Sequence, residues 1–179
     1  MIFINILAFQ IGWFACVLGG AHHMSWLGPI VVMAVMAWHF KHARILRCEL
    51  LLAAIITALG FVFDQTLLSL HFLAYPQSAW PTGLLPIWMV GLWLLFSSTL
   101  NTSLRWMRGR RMLSAAFGAI GGPMAYLGAA KLGAITVINQ QGLLLSLAIG
   151  WAILMPTFMW LAALFDGYAS KESALEVIG

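Results

Sequence analysis

Charge is scarce in this chain. Only 8% of its 179 residues are charged and 63% are hydrophobic, whereas a soluble globular domain carries roughly 25% charged residues. Such a composition cannot cover a water-facing surface, so the bilayer is the expected solvent for most of the molecule. Cysteine is nearly absent too. Cys16 lies inside an apolar run and Cys48 in a basic loop, which excludes a disulfide framework and leaves two free thiols. Walker, dinucleotide-binding, nucleophile-elbow and haem-attachment motifs are all missing, so nothing supports an ATPase, a dehydrogenase or a serine hydrolase. No cofactor is expected. The net charge of +4 does not call for nucleic acid, because the basic residues sit in short loops between apolar runs, where they set topology.

What the chain does have is hydrophobic length. A membrane-crossing helix needs about 20 mostly apolar residues, and six runs come close: 2–21, 25–40, 50–73, 84–104, 112–130 and 142–165. They predict an all-α polytopic membrane protein, a bundle of six transmembrane helices with short loops forming a single domain over 1–179. The run 25–40 is the shortest. The first run has no Lys or Arg before it, so it reads as a retained helix rather than a signal peptide. Lys41, Arg44 and Arg47 follow span two, Arg105, Arg108, Arg110 and Arg111 follow span four, and Lys171 follows span six. The positive-inside rule then places both termini in the cytoplasm, with Lys131 alone outside the pattern. Trp26 and Trp80 fall at outer boundaries and Trp38 and Trp106 at inner ones, as interfacial anchors do. The loop from Tyr75 to Gly83, with Pro76 and Pro81, is a turn, and the tail from Gly167 to Gly179 is too short to fold alone. Chemistry is expected in or at the membrane.

Helices in lipid gain nothing by burying apolar side chains against each other, so small and polar residues should mark the contacts. Two such stripes stand out: Asn5, Gly12, Cys16, Gly19 and His23 in span one, and Gly118, Gly121, Gly122, Ala125 and Ala129 in span five. Pro123 and Pro156 lie inside spans five and six, where a kink is expected. Phe63-Asp64 echoes Phe165-Asp166, too little to make an internal repeat.

Asp64 is the most informative residue. Counting from Glu49 at the cytoplasmic edge, it lies about 22 Å into a hydrocarbon core of about 30 Å. A carboxylate there has to be paired, hydrated or protonated, and should face the bundle interior. Thr57, Gly60, Asp64 and His71 form a polar or small seam along span three. His22 and His23 end span one at the level of His71, and Tyr126 lies near that level in span five. Together these five (His22, His23, Asp64, His71, Tyr126) form the candidate polar cluster within the membrane, with Asp64 and His71 the candidate catalytic pair. Three readings remain open: Asp64 bonded to a neighbouring helix with Tyr126 as donor, a pocket handling lipid or protons with Asp64 as acid or base, and a metal bound by His22 or His23 with Asp64 and His71. Imidazole and carboxylate suit zinc or iron, but no ligand-spacing motif is present, and no metal is predicted. At the inner face Arg105, Trp106, Arg108, Arg110 and Arg111 should contact anionic headgroups, with His39 and His42 at the same interface.

The segments Trp13-Phe14-Ala15-Cys16-Val17, Leu59-Gly60-Phe61-Val62-Phe63-Asp64, Pro86 to Phe96, and Gly121-Gly122-Pro123-Met124-Ala125-Tyr126 with Gly128 give the chain a likeness over nearly its whole length. It resembles a family of small uncharacterised bacterial inner-membrane proteins, a multi-pass domain of unknown function. The resemblance implies an inner-membrane location in a Gram-negative bacterium. It also favours a lipid role, through the fatty-acid-modifying enzymes encoded beside relatives. It supplies no activity, cofactor or catalytic residue. The leading expectation is an accessory or scaffold protein linked to membrane-lipid metabolism, with membrane lipids and a lipid-enzyme protein as partners. The alternatives are a lipid- or isoprenoid-modifying enzyme using Asp64 and His71, and a small proton- or ion-coupled transporter or channel.

Overall fold

The six apolar runs become six α-helices, with ends that shift where buried polar groups or prolines intervene. The computed structural model describes residues 2–75 and 83–169. The loop carrying Pro76, Trp80 and Pro81, and the tail with Lys171, lie outside the described residues. The helices are α1 (Ile2–Ala21), α2 (Leu27–His42), α3 (Leu46–Ser69), α4 (Ile87–Leu100), α5 (Arg111–Lys131) and α6 (Gln140–Leu164). α5 and α6 run continuously through Pro123 and Pro156.

Four of the six, α1, α3, α5 and α6, are long and apolar enough to cross a membrane, which makes this a membrane-embedded protein. The other two fall short of the expected spans. At about 1.5 Å per residue, the 16 residues of α2 reach about 24 Å and the 14 of α4 about 21 Å. α4 begins only after Pro86, which stays extended, and ends where the Asn101 side chain turns to neighbouring segments. α3 starts and stops about four residues earlier than its apolar run, because Leu70 and the left-handed His71 (φ 57) end it. The chain then forms a feature that the all-α expectation lacked. Leu73–Ala74 (β1) pairs antiparallel with Thr136–Val137 (β2).

This small ladder ties the α3–α4 connection to the α5–α6 connection at one end of the bundle. At the opposite end the backbone N–H groups of Arg44 and Ile45 donate to the Gly167 carbonyl, tying the α2–α3 connection to the segment after α6. The helices therefore alternate in direction. Eight of the 14 residues of α4 are buried, against six of 20 in α1. Large exposed apolar side chains such as Phe3, Met33, Val62, Met124 and Ile153 belong to the helices around it. α4 is thus the inner post of the bundle, packed against α1, α2 and α3 and touching α6, while α5 packs on α6.

The glycines of α5 serve that last contact. A Cβ on Gly118 would run into the Trp151 carbonyl and one on Gly122 into the Trp151 ring, so these two positions of the small-residue stripe hold α5 against α6.

Candidate functional site

Glu49, Leu52, Ala53, Ile56, Gly60, Asp64 and Leu67 form the buried face of α3. Their spacing of three and four residues is that of one helix face. Asp64 is wholly enclosed, with no exposed surface. Tyr126 of α5 donates its hydroxyl to one carboxyl oxygen, and Trp93 of α4 donates its indole N–H to the other at 2.7 Å. Gly60, one turn below Asp64, leaves the space that the Trp93 ring fills; a Cβ there would enter the ring. Trp93 stacks on Trp151 of α6 with centroids 5.0 Å apart and 16° between planes. Phe96 and Phe158 close on the same pair edge-on or tilted. One carboxylate thereby joins three helices and orients an aromatic cluster.

The donors to Asp64, rather than Asp64 itself, face open space. Trp93, Tyr126, Trp88 and Trp151 line a cavity of about 80 Å³. Phe9, Trp13, Phe96, Ala125 and Trp151 are shared with a groove of about 370 Å³ between α1 and α5, whose rim includes Gln10, Phe14, Phe117 and Met124. Met124 is 65% exposed and Phe14, Phe117 and Gln10 are exposed as well, so the groove opens sideways. Among the described residues no charged side chain lines either space.

A second polar centre, not anticipated from sequence, lies at the opposite end. Glu49 is 1% exposed. It meets His39 Nε2 at 2.8 Å and accepts from Asn101 Nδ2 at 2.6 Å and the Gly167 N–H at 3.0 Å. Tyr168 donates to the His39 carbonyl at 2.8 Å. Burial, and then the Glu49 charge, push the Tyr168 phenol above its ordinary range, so it remains a donor. Arg108 spans from Asp166 (2.7 Å) to the Asn101 side-chain oxygen (2.6 Å) and the Ala162 carbonyl (3.1 Å). Close by, Asn5 donates to the Ser98 carbonyl at 3.2 Å and accepts from Ser103 at 2.7 Å. His39, expected at the interface, is buried here instead. The sequence signal was present for Glu49, which shares the helical face of Gly60 and Asp64.

Of the five residues in the expected polar cluster, the structure brings together Asp64 and Tyr126. His22, His23 and His71 are exposed, with His23 and His71 in left-handed turns beyond the ends of α1 and α3. An Asp64–His71 acid–base pair is therefore not assembled. Among the described residues no three His, Cys, Asp or Glu side chains gather as a metal site. Of the expected headgroup contacts, Trp106, Arg110 and Arg111 are exposed. Arg105 pairs with Asp166 while partly exposed, and Arg108 turns inward.

No curated protein and no solved structure matches this chain. Residues 2–157 match a protein family of unknown function, DUF2878, and the chain belongs to that family.

Proposed function

We propose that this is a multi-pass protein of the bacterial inner membrane, crossing six times with both termini cytoplasmic, that binds a lipid between α1 and α5 and serves lipid metabolism as a non-catalytic accessory. One observation carries the reading: the groove between α1 and α5 opens sideways at mid-helix and shares its aromatic lining with the inner cavity. Ligand sites of this kind are concave and largely apolar with a few polar groups. Asp64 supports the non-catalytic part, since both its oxygens are occupied by protein donors and it lines neither space. Trp106, Arg110 and Arg111 would hold the inner end against anionic headgroups, at about 1 kcal/mol per charge.

The test is the lipid content of protein extracted into native nanodiscs, compared between wild type and Ala125→Phe, which fills the groove. Wild type is expected to retain a lipid at near one per chain, and the variant to lose it at an unchanged melting temperature. Equal lipid content in the two would overturn the groove as the site. Turnover of a lipid by the purified chain alone would overturn the accessory role.

A further inference from the structure

The groove between α1 and α5 is stopped at one end. Past Ala125 the Trp13 ring of α1 lies against α5, where a Cβ built on Gly128 would meet it at 3.5 Å. Nearer the start of α5 the groove is open. Phe117 and Met124 stand exposed on its rim, and a Cβ on Gly121 would meet only the Phe117 ring, at 3.9 Å. Counted from Arg111, the first residue of α5, Phe117 lies about 9 Å and Ala125 about 21 Å along the helix axis. In a hydrocarbon core of about 30 Å, the groove therefore begins in the leaflet on the Arg111 side and closes just past the midplane. That leaflet is the cytoplasmic one in the reading above.

The same end of α5 carries unpaired charge. Arg110 and Arg111 are exposed, and the first turn of the helix holds no acidic residue. The acids of this end are already taken: Glu49 is held by His39, Asn101 and Gly167, and Asp166 by Arg105 and Arg108. Among the described residues neither Arg110 nor Arg111 has a salt bridge. Arg111, Ser114, Gly118, Gly121 and Ala125 follow one another at spacings of three and four, which sets the arginine on the face of α5 that lines the groove. A charged head entering the groove itself would sit uncompensated in hydrocarbon. At the arginines, in the headgroup layer, it gains instead.

Building on the lipid-binding reading above, we propose that the groove and the two arginines form one site for a single anionic phospholipid of the inner leaflet. Arg110 and Arg111 hold the headgroup phosphate, one acyl chain runs between α1 and α5 past Phe117 and Gly121, and its end stops at Ala125 and Trp13. A lipid of the outer leaflet meets the closed end, and a neutral glyceride leaves both arginines unmet.

The experiment titrates detergent-solubilised full chain with dioleoylphosphatidylglycerol, dioleoylphosphatidylethanolamine and dioleoylglycerol, read by native mass spectrometry. Wild type is compared with the double variant Arg110→Gln/Arg111→Gln and with two groove-filling variants, Ala125→Phe and Gly121→Leu, the latter pointing into open space. Thermal unfolding is the folding control. Phosphatidylglycerol is expected to bind wild type at one per chain and ahead of the other two lipids. The double variant should bind it about thirtyfold more weakly, about a factor of five for each charge, and should bind dioleoylglycerol as wild type does. Both filling variants should lose all three. Equal phosphatidylglycerol affinity in wild type and the double variant, still blocked by the filling variants, would overturn the anionic class and leave the lipid groove standing. Loss in the double variant but in neither filling variant would reduce the arginines to general headgroup contacts and overturn both the composite site and the groove. No difference between wild type and any variant would overturn both as well.

Discussion

Asp64 shows how a single enclosed carboxylate can be held in an apolar bundle. Its two oxygens accept from donors on two other helices, so the group that would be most costly in lipid becomes a junction. Removing one donor and altering the acceptor therefore have different consequences. Tyr126→Phe deletes one donor to a buried carboxylate and is expected to cost about 1.5–3 kcal/mol. Asp64→Asn keeps one acceptor but turns an amide N–H towards a second donor, which should cost about 1–3 kcal/mol. Melting of both variants in detergent measures the two losses, and an Asp64→Asn protein as stable as wild type would return Asp64 to the functional candidates. Asp64 itself was legible in the sequence as the one acid well inside a span. Trp93 was not, because an indole in an apolar run resembles any core aromatic until its N–H is asked for a partner. Glu49 was read as an edge marker for a related reason. Charge beside a basic loop suggests exposure, and only its register with Gly60 and Asp64 reveals the buried face.

The helices were legible to within a few residues wherever they face lipid, since hydrophobic length is set there by the bilayer. α1, α5 and α6 begin and end close to the apolar runs. α4 does not, because its apolar character comes from burial within the bundle and its length from Pro86 and Asn101. The β1–β2 pairing was illegible for another reason: two residues per strand carry no periodicity that a sequence can display. Small residues were easier to find than to assign. The Gly118–Gly122 spacing marks a helix–helix contact without naming the partner helix, and the position of Trp151 assigns it to the α5–α6 contact. Gly118→Leu would force that side chain into the backbone of α6. It is therefore expected to lower folded yield and melting temperature, by the equivalent of about 1–3 kcal/mol or more for overpacking. The elution volume of the surviving folded protein should not move. A variant of wild-type stability that changed only its oligomeric state would show the glycines to be facing another chain.

At the scale of the molecule, the two short helices set the question of how many times the chain crosses. Their ends are fixed by contacts and not by their own length: the connection after α2 is bonded to Gly167 beyond α6, and Asn101 after α4 is bonded to Glu49 and Phe165 at that same end. Lys41, Arg44, Arg47, Arg105, Arg108, Arg110 and Arg111 consequently gather at one end, while Lys131 closes α5 at the other. A charge asymmetry of this kind holds an end in the cytoplasm. α4 can cross with less helix than a lipid-facing segment needs, because it is enclosed by its neighbours, and unwound backbone is tolerated at membrane depth where protein surrounds it. Single cysteines at His23, Arg44, Arg110 and Gln141, all exposed, in a chain lacking Cys16 and Cys48, provide the test. In intact spheroplasts a membrane-impermeant maleimide should label positions 23 and 141 and reach 44 and 110 only after permeabilisation. Labelling of 23 and 44 from the same side would mean that α2 does not cross, and labelling of 110 and 141 from the same side would remove α5. The first result would part Asn5 from the Ser98 and Ser103 that it bonds, and the second would part Gly167 from Arg44 and Glu49, against the single end that the packing builds.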